Sequence, residues 1–231
     1  MKKSGDWWVC DEEKNLLKFT EKAKRGDLTW QGRFPEYLLK FVKESKIFID
    51  IGANYGFMST ALATVFDEVH SFEVIPKTYD CLVKNIKGFD NITAHPCGLG
   101  DTESSMLAKR RLKTAGHSQV VNDPEQIKLY REKRHPKQHM VELFEIPIKT
   151  LDSFNFERID LLKIDVEGFE EYVLQGAVNT LTRCNPVVAL EITREDKTTV
   201  IRNIDCIEFM KELGYNLIDQ RKDDFILIKK D

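Results

Sequence analysis

Apolar positions along this chain follow two alternating rhythms. "KIFIDIG", "EVHSFEVI", "NITAHPCGLG", "IDLLKIDVEG" and "PVVALEI" are short apolar runs ended by glycine, proline or charge, the pattern of strands covered on both faces. Between them, "FMSTALATVF", "KTYDCLVKNIK" and "EEYVLQGAVNTL" carry apolar residues at helical spacing. A longer helix from about Thr198 places Ile201, Ile204, Ile207, Met210 and Leu213 on one face and stops at Gly214. "YNLIDQ" and "DFILIKK", joined by a short polar turn, predict an antiparallel hairpin. Ahead of the first strand the spacing predicts two short helices, one over roughly Glu12 to Lys24 and one beginning at Pro35. Strand and helix in alternation mean an α/β fold with a mainly parallel sheet. We therefore read residues 1–46 as a helical extension and 47–231 as one α/β domain.

The rhythm breaks over about 102–147. From Met106 to His139 there are nine Lys or Arg and three acids, with His117, His135 and His139 among them. One reading is a solvated excursion, a strand pair with a polar helix across "PEQIKLYREKR". The other is a lid or substrate-selecting loop, which would attract anionic acceptors. Nucleic acid is the weaker expectation, because aromatic residues are sparse there.

Composition narrows the picture. The net charge of −3 argues against a general polyanion binder. Five cysteines without C-x-x-C spacing suggest neither a disulfide framework nor a zinc knuckle, and fit a reducing compartment. No window approaches ~18 uncharged apolar residues, so no signal peptide or membrane span is expected and a cytoplasmic location is the natural reading. Oligomeric state leaves no trace in the pattern.

The chemistry centres on "DIGANYG". Ligands of open α/β sheets sit beyond the carboxyl ends of the strands. Gly52 and Gly56 allow a close backbone approach there, with Ala53, Asn54 and Tyr55 as pocket walls. Glu73 ends the next strand about twenty residues on, where a carboxylate can accept both ribose hydroxyls. The spacing is G-x-x-x-G rather than G-x-G-x-x-G, and Asp50 precedes it; an acid there would repel a pyrophosphate but suit a cationic ligand. S-adenosyl-L-methionine, with its ammonium and sulfonium, fits, with Asp50 helping to hold its amino-acid end directly or through water; S-adenosyl-L-homocysteine is its product. A structural turn with a capping acid is the bland alternative.

"FIDIGANYGFMS", "SFEVIPKTYDCLVKNI", "LDSFNFERIDLLKIDVEGFEEYVLQGA" and "PVVALEI" resemble, in order, the motifs of the FkbM-type S-adenosylmethionine-dependent methyltransferases. The resemblance covers about Ile47 to Ile192 apart from the basic insertion. It departs at "FEVIP", where the family usually has "FEPNP", but Glu73 and Pro76 remain. It implies a Rossmann-like class I methyltransferase fold: a seven-stranded, mostly parallel sheet with an antiparallel last strand and helices on both faces. It also implies O-methylation of a hydroxyl on a sugar, glycan or other small metabolite.

Candidate reacting groups should end the central strands. Asp165 is placed nearest the transferred methyl, Glu167 on the substrate side or as base, and Glu191 at the end of the next strand. Alternatively Glu167 caps the following helix, and Lys163 pairs with one of the acids. Asp165 and Glu191 could also hold a divalent ion, but no second oxygen cluster accompanies Glu191 and no metal is assigned. His117, in the insertion, is the one histidine with a suitable place and pKa for a base. His70 and His95 read as structural strand positions, and His135 and His139 as solvated. For adenine, Cys97 and Gly98 would present backbone groups to the base edge and Asp101 would accept from the exocyclic amine, a surface turn being the alternative; Val74 is a further cofactor-binding candidate. Gln31 is a further candidate from the N-terminal segment. Competing functions are a non-catalytic nucleoside-binding module of the same fold, a nicotinamide-dependent dehydrogenase, and a nucleic-acid methyltransferase using the basic insertion; the last lacks a base-flipping motif.

Overall fold

The computed structural model describes residues 1–14, 16–112, 118–121, 123–137, 140–192 and 199–229. The predicted strands form one seven-stranded sheet. β3 (Ile47–Ile51), β4 (Glu68–Phe72) and β5 (Ile92–His95) run parallel to one side, and β10 (Leu161–Ile164) and β11 (Val187–Glu191) to the other. β12 (Tyr215–Arg221) and β13 (Asp224–Lys229) complete the order β12-β13-β11-β10-β3-β4-β5, and β13 lies antiparallel to both its neighbours. The chain leaves β3 to one side and β10 to the other, so a crevice opens between their carboxyl ends.

Strand alternation divides the core into two layers. Ile49, Ile51, Leu162, Ile164, Val188 and Leu190 pack with the side of the sheet that holds α6 (Glu170–Gln175), α7 (Val178–Cys184) and α8 (Thr199–Glu212). Phe48, Leu161, Val187 and Ala189 face α2 (Trp30–Leu39) and α3 (Phe57–Leu62). α4 (Pro76–Asn85) starts on a proline, whose fixed φ suits a first helical turn. No helix among the described residues is long and apolar enough to cross a membrane.

Two regions depart from expectation. The N-terminal segment opens with a ribbon, β1 (Lys2–Ser4) paired with β2 (Trp7–Val9) around Gly5-Asp6, while the helix expected over Glu12 to Lys24 shrinks to α1 (Leu17–Thr20). Trp7 and Val9 are buried against Tyr55, Phe57 and Cys81, and Asn85 bonds both polar groups of the Trp8 backbone. The helix expected from Pro35 begins earlier, at Trp30.

The insertion builds a second sheet of order β6-β9-β7-β8 from β6 (Gly98–Leu99), β7 (Ser104–Arg111), β8 (Gln119–Val121) and β9 (Val141–Lys149), with α5 (Pro124–Arg131) between β8 and β9. "NITAHPCGLG" is thus two strands in two sheets rather than one. Arg110 is fully buried and joins Glu142 at 3.0 Å and Glu12 at 3.4 Å, while Lys77 bonds Glu142 at 2.5 Å. Four charges therefore tie the N-terminal segment, α4 and the insertion together.

Candidate active site

The cleft lies where the topology predicts it, beyond β3, β4 and β10, and the glycine turn forms its floor. Gly52 and Ala53 both donate to the carbonyl of Phe72, at 3.0 and 2.9 Å. Asn54, in a left-handed conformation (φ 52°), donates its N–H to Glu73 Oε2 at 3.0 Å, and Gly56 N–H returns to Ala53 O at 2.8 Å. These four N–H groups are spent within the fold, so a diphosphate would not find them free. Gly52 is required for a reason the sequence did not suggest. A Cβ on it would lie 1.8 Å from the carbonyl oxygen of Asp165, so the close approach is by the chain itself. At Gly56 the approaching group is Leu82.

Glu73 is buried between two loops. Its Oε1 accepts from Ile75 N–H at 2.8 Å and its Oε2 from Asn54, and burial pushes its carboxyl up to about 7 against the pull of those bonds. Each oxygen keeps a lone pair beyond its backbone bond. Asn54 Oδ1, beside it at the cleft, is buried without a hydrogen-bond partner. Val74, Cys97 and Gly98 continue the wall, and Ser118 and Val120 bring the insertion to it. Asp165 and Glu167 close the opposite side.

Several expectations need correction. Asp50 does not line the cleft. Period-two alternation turns it onto the α3 face, where it is buried, accepts from Ser59 Oγ at 2.6 Å and is pushed up by desolvation. Direct contact between Asp50 and a cationic ligand is therefore not what this geometry offers. Ala53 packs on Leu82 and Ile86, and Tyr55 turns away so that its hydroxyl accepts from Cys10 N–H at 3.3 Å. Asp101 is exposed: β6 pairs with β9, and the chain then runs outward past Gly176. His117 and His139 lie outside the described residues, as does the side chain of Gln31. His135 is not simply solvated; its ring stacks on Tyr130 at 3.9 Å. His70 Nδ1 meets His95 Nε2 at 3.0 Å under Phe72, in keeping with structural roles.

The acids behind the cleft form one group. Lys163 Nζ bonds Asp165 Oδ2 at 2.9 Å. Glu167 sits at φ 55°, an uncommon conformation for a side-chain-bearing residue, and burial, then Asp165 and Glu170, push it up to about 8. Glu170 serves the helix start, accepting from Val166 and Gly168 N–H at 3.3 and 3.0 Å. Burial and then Asp165 push Glu191 up to about 9. Asp224, cross-strand from Glu191 and pushed up to about 6 by burial, drew no notice in the sequence because a hairpin acid looks solvated.

Stability should depend on pH through these acids. Glu73, Glu167, Glu191 and Asp224 all have folded values above the ordinary carboxyl range. Their contribution is complete below that range and is lost as pH rises through about 6 to 9. The melting temperature of the ligand-free protein should fall from pH 5 to pH 9 by scanning fluorimetry; a flat or rising profile would contradict this burial.

The fold and cleft define a Rossmann-like α/β scaffold with a pocket beyond the carboxyl ends of its central strands. The sequence matches the Methyltransferase FkbM domain over residues 50–217, and the chain belongs to that family. It is 25% identical over 146 residues to Methyltransferase 1 of Beauveria bassiana (strain ARSEF 2860), covering 58% of this chain and 59% of that protein. It is 29% identical over 153 residues to Methyltransferase sdnD of Sordaria araneosa, covering 55% and 59% respectively. The chain thus spans about three-fifths of the length of these curated relatives. The crystal structure of Methyltransferase FkbM from Methylobacillus flagellatus KT shares the fold, with a TM-score of 0.50 and 16% identity over 92% of this chain and 52% of that one.

Proposed function

We propose that the protein is an S-adenosylmethionine-dependent O-methyltransferase acting on a hydroxyl of a sugar, glycan or other small metabolite. The observation that carries this reading is Glu73: a buried carboxylate, fixed by two backbone N–H groups, with lone pairs left at the mouth of a nucleoside-sized turn. The unpartnered Asn54 Oδ1 beside it is an acceptor awaiting a donor such as a ribose hydroxyl or an amine. Glu73 and Asn54 would hold the ribose, Val74, Cys97 and Gly98 the base, and Asp165 would face the methionine end.

S-adenosylmethionine supplies an electrophilic methyl carbon on a sulfonium, whose C–S bond breaks as the acceptor oxygen bonds to that carbon. Orientation accounts for much of such a rate. The residual requirement is a base for the hydroxyl proton, and Glu167 meets it, being in the cleft and raised to where it accepts a proton near neutral pH. The insertion's basic residues support a small acceptor over a nucleic acid: Arg110 is sequestered, Arg131 pairs with Glu145 and Arg134 with Glu132. Arg111, whose charge reaches Glu167, suits an acceptor with an anionic substituent.

Calorimetric titration with S-adenosylhomocysteine and with NAD tests the donor, and a screen of sugars, nucleotide sugars and lipid-linked glycans with a labelled methyl donor tests the acceptor. Binding of NAD without the homocysteine derivative would overturn the reading. Because Glu167 is a base only when ionised, turnover should rise with pH and level off above about 8. Glu167→Gln should lower it roughly 10²-fold and flatten that limb; an unaltered limb would remove Glu167 from the reaction.

A further inference from the structure

Among the described residues, Lys163 is a buried cation behind the cleft with acids on several sides, and the topology explains why. In the sheet register it lies between Asp50 on β3 and Ala189 on β11, with Ser71 on β4 one strand beyond Asp50. All four lie in one row across the sheet, on the face toward α3. Ala189 puts a small apolar side chain on one side of it in the register, and Asp50 a carboxylate on the other. Lys163 is 6% exposed, yet its Nζ reaches the cleft wall by bonding Asp165 Oδ2 at 2.9 Å.

The groups facing it come from every neighbouring element: Asp50 from β3, Asp165 and Glu167 from the loop after β10, Glu191 from β11, and Asp224 from β13. Of these five acids Arg111 acts on Glu167 and Arg221 on Asp224, whereas among the described residues Lys163 is the cation that acts on all five. Burial works against its ammonium, but Asp165, Asp50 and Glu191 together push its proton affinity above the ordinary value. It therefore stays charged across the working pH range, one fixed positive charge among the acids at and behind the cleft wall.

We propose that Lys163 determines how the cleft discriminates by charge: held between Asp50 and Asp165, it offsets part of the carboxylate charge and so sets the preference for a sulfonium donor over the neutral thioether left after transfer. This rests on the proposed function. Too much negative charge would hold the donor tightly and leave the site dependent on proton uptake. Too little would let the neutral product compete equally, and the lysine fixes the balance between the two. The role is one of positioning and charge, exerted through Asp165.

The test needs no acceptor. Dissociation constants for S-adenosylmethionine and S-adenosylhomocysteine are measured by calorimetry at pH 6 and pH 9 for wild type, Lys163→Met and Lys163→Arg. In Lys163→Met the ratio of homocysteine to methionine constants should rise roughly tenfold at pH 9, the size of effect one unit charge exerts several ångströms away at a half-buried site. At pH 6 it should move little, because the freed carboxylates take up protons instead. Lys163→Arg keeps the charge and should hold the ratio within about threefold at both pH values, which a merely structural role for Lys163 would not predict.

An unmoved ratio in Lys163→Met at pH 9, or an equal shift in Lys163→Arg, would overturn the inference. If Lys163→Met does not fold, Asp165→Asn decides: removing a carboxylate should lower the ratio by roughly the same factor, and no change would overturn it. A wild type that binds neither ligand would sink the proposed function and this inference together. Wild-type binding with an unmoved ratio sinks the inference alone.

Discussion

Gly52→Ala should cost the protein most of its stability and all measurable donor binding. The glycine has φ 81°, where an alanine is disfavoured by about 1–2 kcal/mol before any contact is counted. The steric clash costs more. The new Cβ would lie 1.8 Å from the carbonyl oxygen and 2.9 Å from the carbonyl carbon of Asp165, and both are backbone atoms. Neither side can yield easily, since Asp165 N–H bonds Ile51 O at 3.0 Å and β3 and β10 are paired along their length. We expect a loss of about 4 kcal/mol or more, against a total of roughly 5–15 kcal/mol for a domain. Gly56→Ala provides the control. Its φ is similar, at 86°, but its Cβ would meet side-chain atoms rather than backbone, Leu82 Cδ1 at 2.7 Å and Ile86 Cγ2 at 3.5 Å, so about 1–2 kcal/mol is expected. Urea melts of the two variants should differ widely in midpoint; equal midpoints would show that the Gly52–Asp165 approach does not limit the fold.

That contrast also shows how far the residues alone could be read. The central strands were legible because parallel strands buried on both faces are continuous apolar runs, and "IFIDI", "LLKI" and "VVALE" are such runs. The terminal hairpin was legible from its polar turn. The N-terminal ribbon was overlooked although its signals were present, a Gly5-Asp6 turn followed by Trp7 in, Trp8 partly out and Val9 in; three-residue strands are too short for periodicity to declare. In the insertion, the count of basic residues stopped at His139, just short of Glu142 and Glu145 on β9, which pair with Arg110 and Arg131. An excess of charge in one window was thus balanced by the next strand in space.

At the site, residue types were easier to read than directions. Gly52, Asn54 and Glu73 were read from the spacing of the glycine turn and the next strand, Asp165 and Glu167 from the end of a buried strand, and the structure brings the five to one cleft. Asp50 was assigned to the ligand because it precedes the glycines, but a residue inside a strand points to one face of the sheet, and its face is that of Ser59 and Lys163. A diphosphate is still disfavoured, on different grounds: the turn's own N–H groups are consumed by Phe72 and Glu73. Lys163 was read as a partner for one of the acids, and it does bond Asp165, but its position beside Asp50, like that of Asp224 beside Glu191, comes from cross-strand register.

Glu73→Ala is the substitution expected to damage donor binding most without a backbone clash. The side chain carries two structural bonds and, in the proposed complex, would accept from both ribose hydroxyls. Hydrogen bonds to a charged group are worth about 1.5–3 kcal/mol each, so losing two of them weakens S-adenosylhomocysteine binding roughly 10³-fold. Asn54 and Ile75 would at the same time lose the acceptor that fixes the turn. Glu73→Gln keeps one acceptor oxygen and should fall between, at roughly tenfold. pH separates the charge from the shape. Burial holds the free Glu73 carboxyl at about 7, so wild-type affinity should decline as pH drops below 7, where the ligand must first displace a proton. In Glu73→Gln that decline should vanish while the affinity above pH 7 stays lower than wild type. Calorimetry at pH 6, 7 and 8 reads all three proteins. If Glu73→Ala bound the homocysteine derivative within threefold of wild type, the ribose would lie elsewhere and the proposed orientation of the donor would be lost with it.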